Sequence, residues 1–193
     1  MKKSYLYSIF TFVLFFLAAK KTNAQTDSIS VYIFLSETCP ICQNQTLSLR
    51  DLNATFAPKG IKIIGIFPNI EMSDSVSILK FKRKYKLDFY VQLDENQQLT
   101  SGLKATTTPQ VFVVNKNTQE ILYEGKVDNS FERVGKRRQI ITEFYLRDAL
   151  MQIVQNQCVT VKKTEAVGCF IQKKPLLNPT APSRPSPKGK ENN

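Results

Sequence analysis

Cys39-Pro40-Ile41-Cys42 carries two thiols one helical turn apart, close enough for the sulfurs to join without backbone movement. An apolar run, residues 31–35, leads into this motif, and an amphipathic stretch leads out of it. The pair therefore stands where a strand ends and a helix begins, among free N–H groups and the positive end of the helix dipole. A thiol at that point loses its proton readily, and the thiolate is the form that attacks a disulfide. Cys39, at the helix head, is the expected nucleophile and the more exposed, more acidic thiol. Cys42, one turn inside, is the expected resolving thiol. About 70 residues later Thr106-Thr107-Thr108-Pro109 runs straight into a second apolar strand.

The elements that must position these residues are legible from periodicity. Residues 31–35 read as a buried central strand. Ile41, Gln45, Leu49, Leu52 and Phe56 share one face of a helix reaching about Ala57, which Pro58-Lys59-Gly60 ends. Residues 61–67 form the next strand, and Ser73 or Asp74 caps a helix that turns Ile78, Phe81 and Tyr85 to one side. A short strand over 89–93 and a brief helix carrying Leu99 and Leu103 follow. Residues 111–114 and 120–124 flank a polar turn as a hairpin. Leu146, Ala149, Leu150 and Ile153 line a last helix over about 142–155. Two crossovers followed by a hairpin and a closing helix make an α/β thioredoxin-like fold, a central mixed sheet flanked by helices. In that fold the proline before the later strand is usually cis. Thr108 then offers its backbone to an extended substrate, and Thr108 and Pro109 form the substrate groove.

Lys2 and Lys3 precede an apolar run from residue 6 to 19, and Thr22-Asn23-Ala24 supplies a small residue for cleavage. Residues 1–24 read as a secretory signal peptide, with an N-terminal membrane anchor as the alternative. The protein is thus expected outside the cytoplasm, in a periplasmic or other extracytoplasmic space. The formal charge of +11 falls to +7 without the four lysines of that segment. Residues 25–172 suffice for one domain with a core. Residues 173–193, with prolines at 175, 179, 182, 185 and 187, read as a disordered tail.

There is no histidine. That excludes Ser-His-Asp and Cys-His catalytic pairs, c-type haem attachment, and copper carriers of this fold that use a histidine ligand. No basic face interleaves with aromatics, so nucleic acid is not an expected partner. A four-cysteine zinc site would need Cys158 and Cys169 as its second pair, and the ten residues between them do not resemble a zinc knuckle. No cofactor and no metal are expected.

The chain resembles a branch of exported thioredoxin-fold redoxins related to the alkyl hydroperoxide reductase and thiol-specific antioxidant group. The matching stretches are Ser36-Glu-Thr-Cys-Pro-Ile41, Ala57-Pro-Lys-Gly60, Thr108-Pro109, Tyr123-Glu-Gly-Lys-Val-Asp128, Gly135-Lys-Arg-Arg138, Tyr145-Leu-Arg-Asp-Ala-Leu150 and Thr164-Glu-Ala-Val-Gly-Cys169. In that branch cysteines matching Cys39 and Cys169 are typical, and the position of Cys42 is often serine. The resemblance thus makes Cys169 a candidate third redox thiol near Cys39. On residue grounds alone it can equally close a local structural disulfide with Cys158. Gly168 suits a close backbone approach. By likeness to membrane-tethered reductases, Glu71 is a candidate proton-transfer acid, and otherwise a solvated loop charge. Lys136-Arg137-Arg138 reads as a solvated loop. Peroxidases of the group place their cysteine in a P-x-x-x-T-x-x-C context, where this chain has Tyr32 and Ser36.

The expectation is therefore an exported thiol–disulfide oxidoreductase. It would exchange disulfides with a thiol- or disulfide-bearing protein substrate and a separate redox partner. A thiol-dependent peroxidase, with antioxidant activity, and a non-catalytic binding module are the alternatives.

Overall fold

The computed structural model describes residues 26, 28–69 and 71–173; the expected signal peptide and tail lie outside them, save Lys173. In chain order the elements begin β1 (Ile29–Phe34), α1 (Pro40–Phe56), β2 (Lys62–Phe67), α2 (Ser75–Lys84), β3 (Tyr90–Leu93) and α3 (Gln98–Gly102). They continue β4 (Thr107–Thr108), β5 (Gln110–Asn115), β6 (Glu120–Gly125), β7 (Phe131–Arg133), β8 (Lys136–Arg137), α4 (Tyr145–Val154) and β9 (Cys169–Phe170). The main sheet has the order β3-β2-β1-β5-β6. Its first three strands are mutually parallel, and β5 runs antiparallel to both β1 and β6. This is the mixed, thioredoxin-like sheet that the order of apolar runs implies.

Because strand side chains alternate, the sheet has two apolar faces. Val31, Ile33, Ile63, Val111 and Val113 meet Ile41, Leu49, Leu52 and Phe56 of α1, Ile78 and Phe81 of α2, and Leu146, Leu150 and Ile153 of α4. On the opposite face Phe34, Ile66, Phe112 and Val114 meet Leu99, Leu103 and Ala105 around α3, together with Ile171 from the C-terminal segment. The second face is thus closed partly by chain that follows the last helix.

Capping and turn chemistry set the boundaries. Asp74 Oδ1 accepts from the Ser77 N–H and Ser77 Oγ accepts from the Asp74 N–H, a closed capping box on α2. Gly60, at φ 87°, ends the helical segment in the left-handed conformation that favours glycine. Helix α4 starts at Tyr145, three residues after the expected start at about 142. Asn129 Oδ1 accepts from the N–H groups of Thr142 and Glu143, which holds those two residues out of the helix. The cationic stretch 136–138, read as loop, instead begins on the return strand of the β7–β8 hairpin, where Lys136 and Arg138 pair with Glu132.

One buried phenol ties the C-terminal segment to the sheet. Tyr123 is fully buried; its hydroxyl donates to Lys126 O at 2.6 Å and shares a 2.8 Å hydrogen bond with Thr164. Burial pushes that phenol above its ordinary pKa. Tyr123→Phe is expected to cost about 1–2 kcal/mol of stability, read from the midpoint of denaturant unfolding.

Candidate functional site: three thiols at the head of helix α1

Cys39 is the residue immediately before α1, with extended backbone (φ −78°, ψ 117°) and Pro40 at the first helical position. Pro40 lacks an N–H that would there have no intrahelical partner. The Gln43 N–H bonds the Cys39 carbonyl at 3.1 Å, so the helix begins directly under the thiol. Cys42 follows one turn later, fully buried, its sulfur 3.4 Å from the Ser36 N–H.

The Thr108–Pro109 bond is cis. The loop before it is gathered by Gln110, whose Oε1 accepts from the N–H of Thr106 at 2.8 Å and of Thr107 at 3.2 Å. That turn aims the Thr108 carbonyl at the helix head, 3.3 Å from Cys39 Sγ.

The third thiol comes from the far end of the chain. After α4 the backbone returns along β6: the Glu124 N–H bonds Lys162 O, and the Thr164 N–H bonds Glu124 O, both at 2.9 Å. It then crosses the cis-proline loop as β9, antiparallel to β4, with Thr108 opposite Cys169. Two glycines make the passage possible. A Cβ on Gly125 would lie 2.1 Å from Thr164 Oγ1, and one on Gly168 would lie 2.0 Å from Thr108 O. Beyond the crossing, the Ile171 N–H bonds Thr106 O at 2.9 Å and the Gln172 N–H bonds Asn69 Oδ1 at 3.0 Å. Gln97 Nε2 donates to Gln172 O at 2.6 Å. Held at both ends, this strap sets Cys169 Sγ 2.9 Å from Cys39 Sγ.

The electrostatics divide the three thiols into one acid and two neutral neighbours. The Cys42 thiol hydrogen-bonds the Cys39 sulfur; against the opposing effect of burial, that bond and a second from Cys169 bring Cys39 from 9.0 to about 5. Cys42 is pushed well above the usual thiol value, first by burial, then by its hydrogen bond to Cys39 and by the negative charge there. Cys169 is pushed up to about 11 by the same three causes in the same order. At neutral pH the arrangement holds one thiolate between two S–H donors.

Cys39, Cys42, Thr108, Pro109 and Cys169 are brought together. Cys158 is not: it is exposed at the opposite end of the sheet, beside Ile29 and Asn115. A Cys158–Cys169 bridge is therefore not the arrangement seen. Glu71 stands exposed on the turn after β2, and among the described residues no hydrogen bond joins it to a thiol. Cys39 is more exposed than Cys42, but by a narrow margin, 2% against 0%. The strap's Cys169 sulfur and the Thr108 carbonyl stand against Cys39, at 2.9 and 3.3 Å.

Several residues that position the site carry no chemical signature in sequence. Glu37 accepts from the hydroxyls of Ser73 (2.7 Å) and Ser77 (2.9 Å), pinning the segment before Cys39 to α2. Gln45, on the buried face of α1, donates to Asp128 Oδ1 at 2.9 Å and Ser130 Oγ at 2.7 Å, locking α1 to the loop after β6. Gln97, Asn69, Gln110 and Gly125 act only through their partners. Of these only Gly125 had a local signal, since it, Thr164 and Gly168 lie in stretches that also carried the family likeness.

The AhpC/TSA family model matches residues 12–122. Peroxiredoxin Q, chloroplastic, of Oryza sativa subsp. japonica is 32% identical over 96 residues, which cover 46% of this chain and 42% of that protein. The chain thus spans well under half of the curated relative it matches. Among solved structures, an uncharacterized conserved protein from Geobacillus kaustophilus has a TM-score of 0.68 at 24% identity, covering 78% of this chain and 80% of its own. A hypothetical protein from Sinorhizobium meliloti 1021 has a TM-score of 0.66 at 20% identity, covering 76% and 80%. At those identities the structural likenesses speak to the fold.

Proposed function

The chain belongs to the AhpC/TSA family, and we propose that within it the protein is a thiol–disulfide oxidoreductase whose nucleophile is Cys39. The observation that carries this reading is the placement of Cys39 at the head of α1, with Cys42 one turn on, the Cys169 sulfur at 2.9 Å and the carbonyl before the cis proline at 3.3 Å. That setting lowers its pKa to about 5. Cys39 thiolate attacks one sulfur of a substrate disulfide; a Cys39–substrate bond forms as the substrate S–S bond breaks, and the second substrate sulfur leaves as thiolate. Cys42, or Cys169 from the strap, gives up its proton and attacks Cys39. The substrate's first sulfur leaves with that proton. Both substrate sulfurs end reduced, and the protein holds the disulfide. We infer from Lys2, Lys3 and the apolar run behind them that this chemistry takes place outside the cytoplasm, where disulfides persist.

Redox titration of the full chain tests the reading. The Cys39–Cys42 couple is expected at about −120 to −270 mV, the range of exchange catalysts, with turnover of a protein disulfide by the reduced form. A couple below about −300 mV with no turnover would make the motif a structural disulfide on a binding module.

A thiol-dependent peroxidase is the second reading, favoured by the likeness to peroxiredoxin Q. Against it, the position three before Cys39 is Ser36, whose hydroxyl is hydrogen-bonded with Thr38 Oγ1 at 3.1 Å, and the position seven before is Tyr32. Hydrogen peroxide consumption with a dithiol donor separates the two: the oxidoreductase reading expects none above the rate of free thiol.

A further inference from the structure

The strap lies where an extended substrate would have to lie, and it satisfies a set of steric demands that the groove makes of any occupant. It adds as a strand to β4, main chain to main chain, with its cysteine delivered to Cys39. We propose that the strap is a tethered copy of what the groove binds, and that the protein partner of Cys39 presents an extended segment of the pattern glycine–cysteine–any residue–aliphatic. This deepens the oxidoreductase reading and rests on it.

Each position of the pattern follows from a contact. Before the cysteine, a Cβ at Gly168 would sit 2.0 Å from Thr108 O, 2.6 Å from Thr108 C and 3.0 Å from Pro109 N. Those are backbone atoms of a loop that Gln110 holds from below, so the wall cannot swing aside as a side chain would. Any segment that reaches Cys39 in this register meets the same wall, and only glycine passes it. After the cysteine, Phe170 is 82% exposed, so the groove makes no demand there. At the next position Ile171 is 7% exposed among Phe34, Ile66, Ala105, Phe112 and Val114. That apolar recess is left open whenever the strap departs, and an incoming aliphatic side chain would fill it again.

The exchange is the same step as before with the partner specified. Cys39 thiolate attacks the segment's cysteine sulfur within its disulfide, the partner sulfur leaves as thiolate, and Cys42 then displaces the segment as a free thiol.

The test uses the full chain carrying Cys42→Ser, Cys158→Ser and Cys169→Ser, so that Cys39 is the only thiol. Hexapeptides bearing one cysteine as a mixed disulfide with thionitrobenzoate are the probes, and release of thionitrobenzoate is followed. The strap, with serine at 169, competes equally against every peptide. A peptide containing Gly-Cys-Phe-Ile is expected to react about tenfold faster than one containing Val-Cys-Phe-Ile, and about tenfold faster than Gly-Cys-Phe-Asp. Gly-Cys-Lys-Ile should react within about twofold of the first. The same ranking is expected in the burst of the unsubstituted reduced chain, which guards against a fold lost through the serine substitutions. Equal rates for all four peptides, with bis-hydroxyethyl disulfide still reduced by the unsubstituted chain, would overturn the pattern and leave the oxidoreductase reading intact. No reaction with any peptide or with bis-hydroxyethyl disulfide would overturn both.

Discussion

A Cys39→Ser protein is expected to lose disulfide exchange by about 10³-fold or more, to the level of the uncatalysed reaction. The helix head and the two flanking thiols stabilise a negative sulfur. A serine hydroxyl does not ionise in the working range and offers them nothing to stabilise. The same substitution should remove a titration that the unsubstituted protein displays. Thiolate ultraviolet absorbance of the reduced chain is expected to rise with pH through a midpoint near 5, the value that the Cys42 and Cys169 hydrogen bonds impose on Cys39. The sign is that of a depressed acid: below the midpoint Cys39 is protonated and exchange stops, and above it the rate levels off. Linkage runs the same way. The contribution of Cys39 to stability is fully present above 9.0, the ordinary thiol value, and is lost as pH falls through about 5. Cys42→Ala, which takes away the largest stabilising hydrogen bond, should move the midpoint upward. An absorbance midpoint near 9 in the unsubstituted protein, or exchange surviving in Cys39→Ser, would remove Cys39 from the role given it.

Gly168→Val is expected to uncover the site. The added Cβ would fall 2.0 Å from the Thr108 carbonyl oxygen, so the strap cannot stay in register over the cis-proline loop. Its departure costs the burial of Ile171, about 1.5–3 kcal/mol, and leaves the main sheet and its larger core intact. Cys39, now 2% accessible, becomes open to reagents, and its alkylation by iodoacetamide at neutral pH should rise roughly tenfold or more. A covalent readout accompanies the kinetic one. The Cys42→Ser chain, oxidised with diamide, should give a Cys39–Cys169 disulfide by peptide mapping, because the two sulfurs already lie 2.9 Å apart. The same chain carrying Gly168→Val should not. Unchanged alkylation of Cys39, together with an undiminished Cys39–Cys169 bridge, would mean that the strap tolerates a side chain at 168 and does not govern access.

Local periodicity and local chemistry settled a large part of this protein in advance. The apolar run before Cys39, the face shared by Leu49, Leu52 and Phe56, and the alternation through residues 111–114 each report on neighbours a few residues away. Those contacts follow from helix and strand geometry, so the sheet, the helices flanking it and the place of Cys39 at a helix head were legible. The proline at 109 likewise declared the loop that faces the motif. What the sequence left open involves residues far apart along the chain. Cys39 and Cys169 are separated by 130 positions, and no spacing rule says which of two distant cysteines meets a third. That choice was made by the path of the strap, through Thr164 beside Gly125 and Gly168 against Thr108. Helix α4 starts at Tyr145 for a similar reason, since the side chain that holds Thr142 and Glu143 out of it belongs to Asn129. The cover over Cys39 was hidden from the sequence on the same ground. A helix N-terminus favours an acidic thiol through groups within one turn, whereas the Cys169 thiol that lowers the Cys39 pKa further, and the segment that packs over it, come from far along the chain, and only the tertiary fold supplies them.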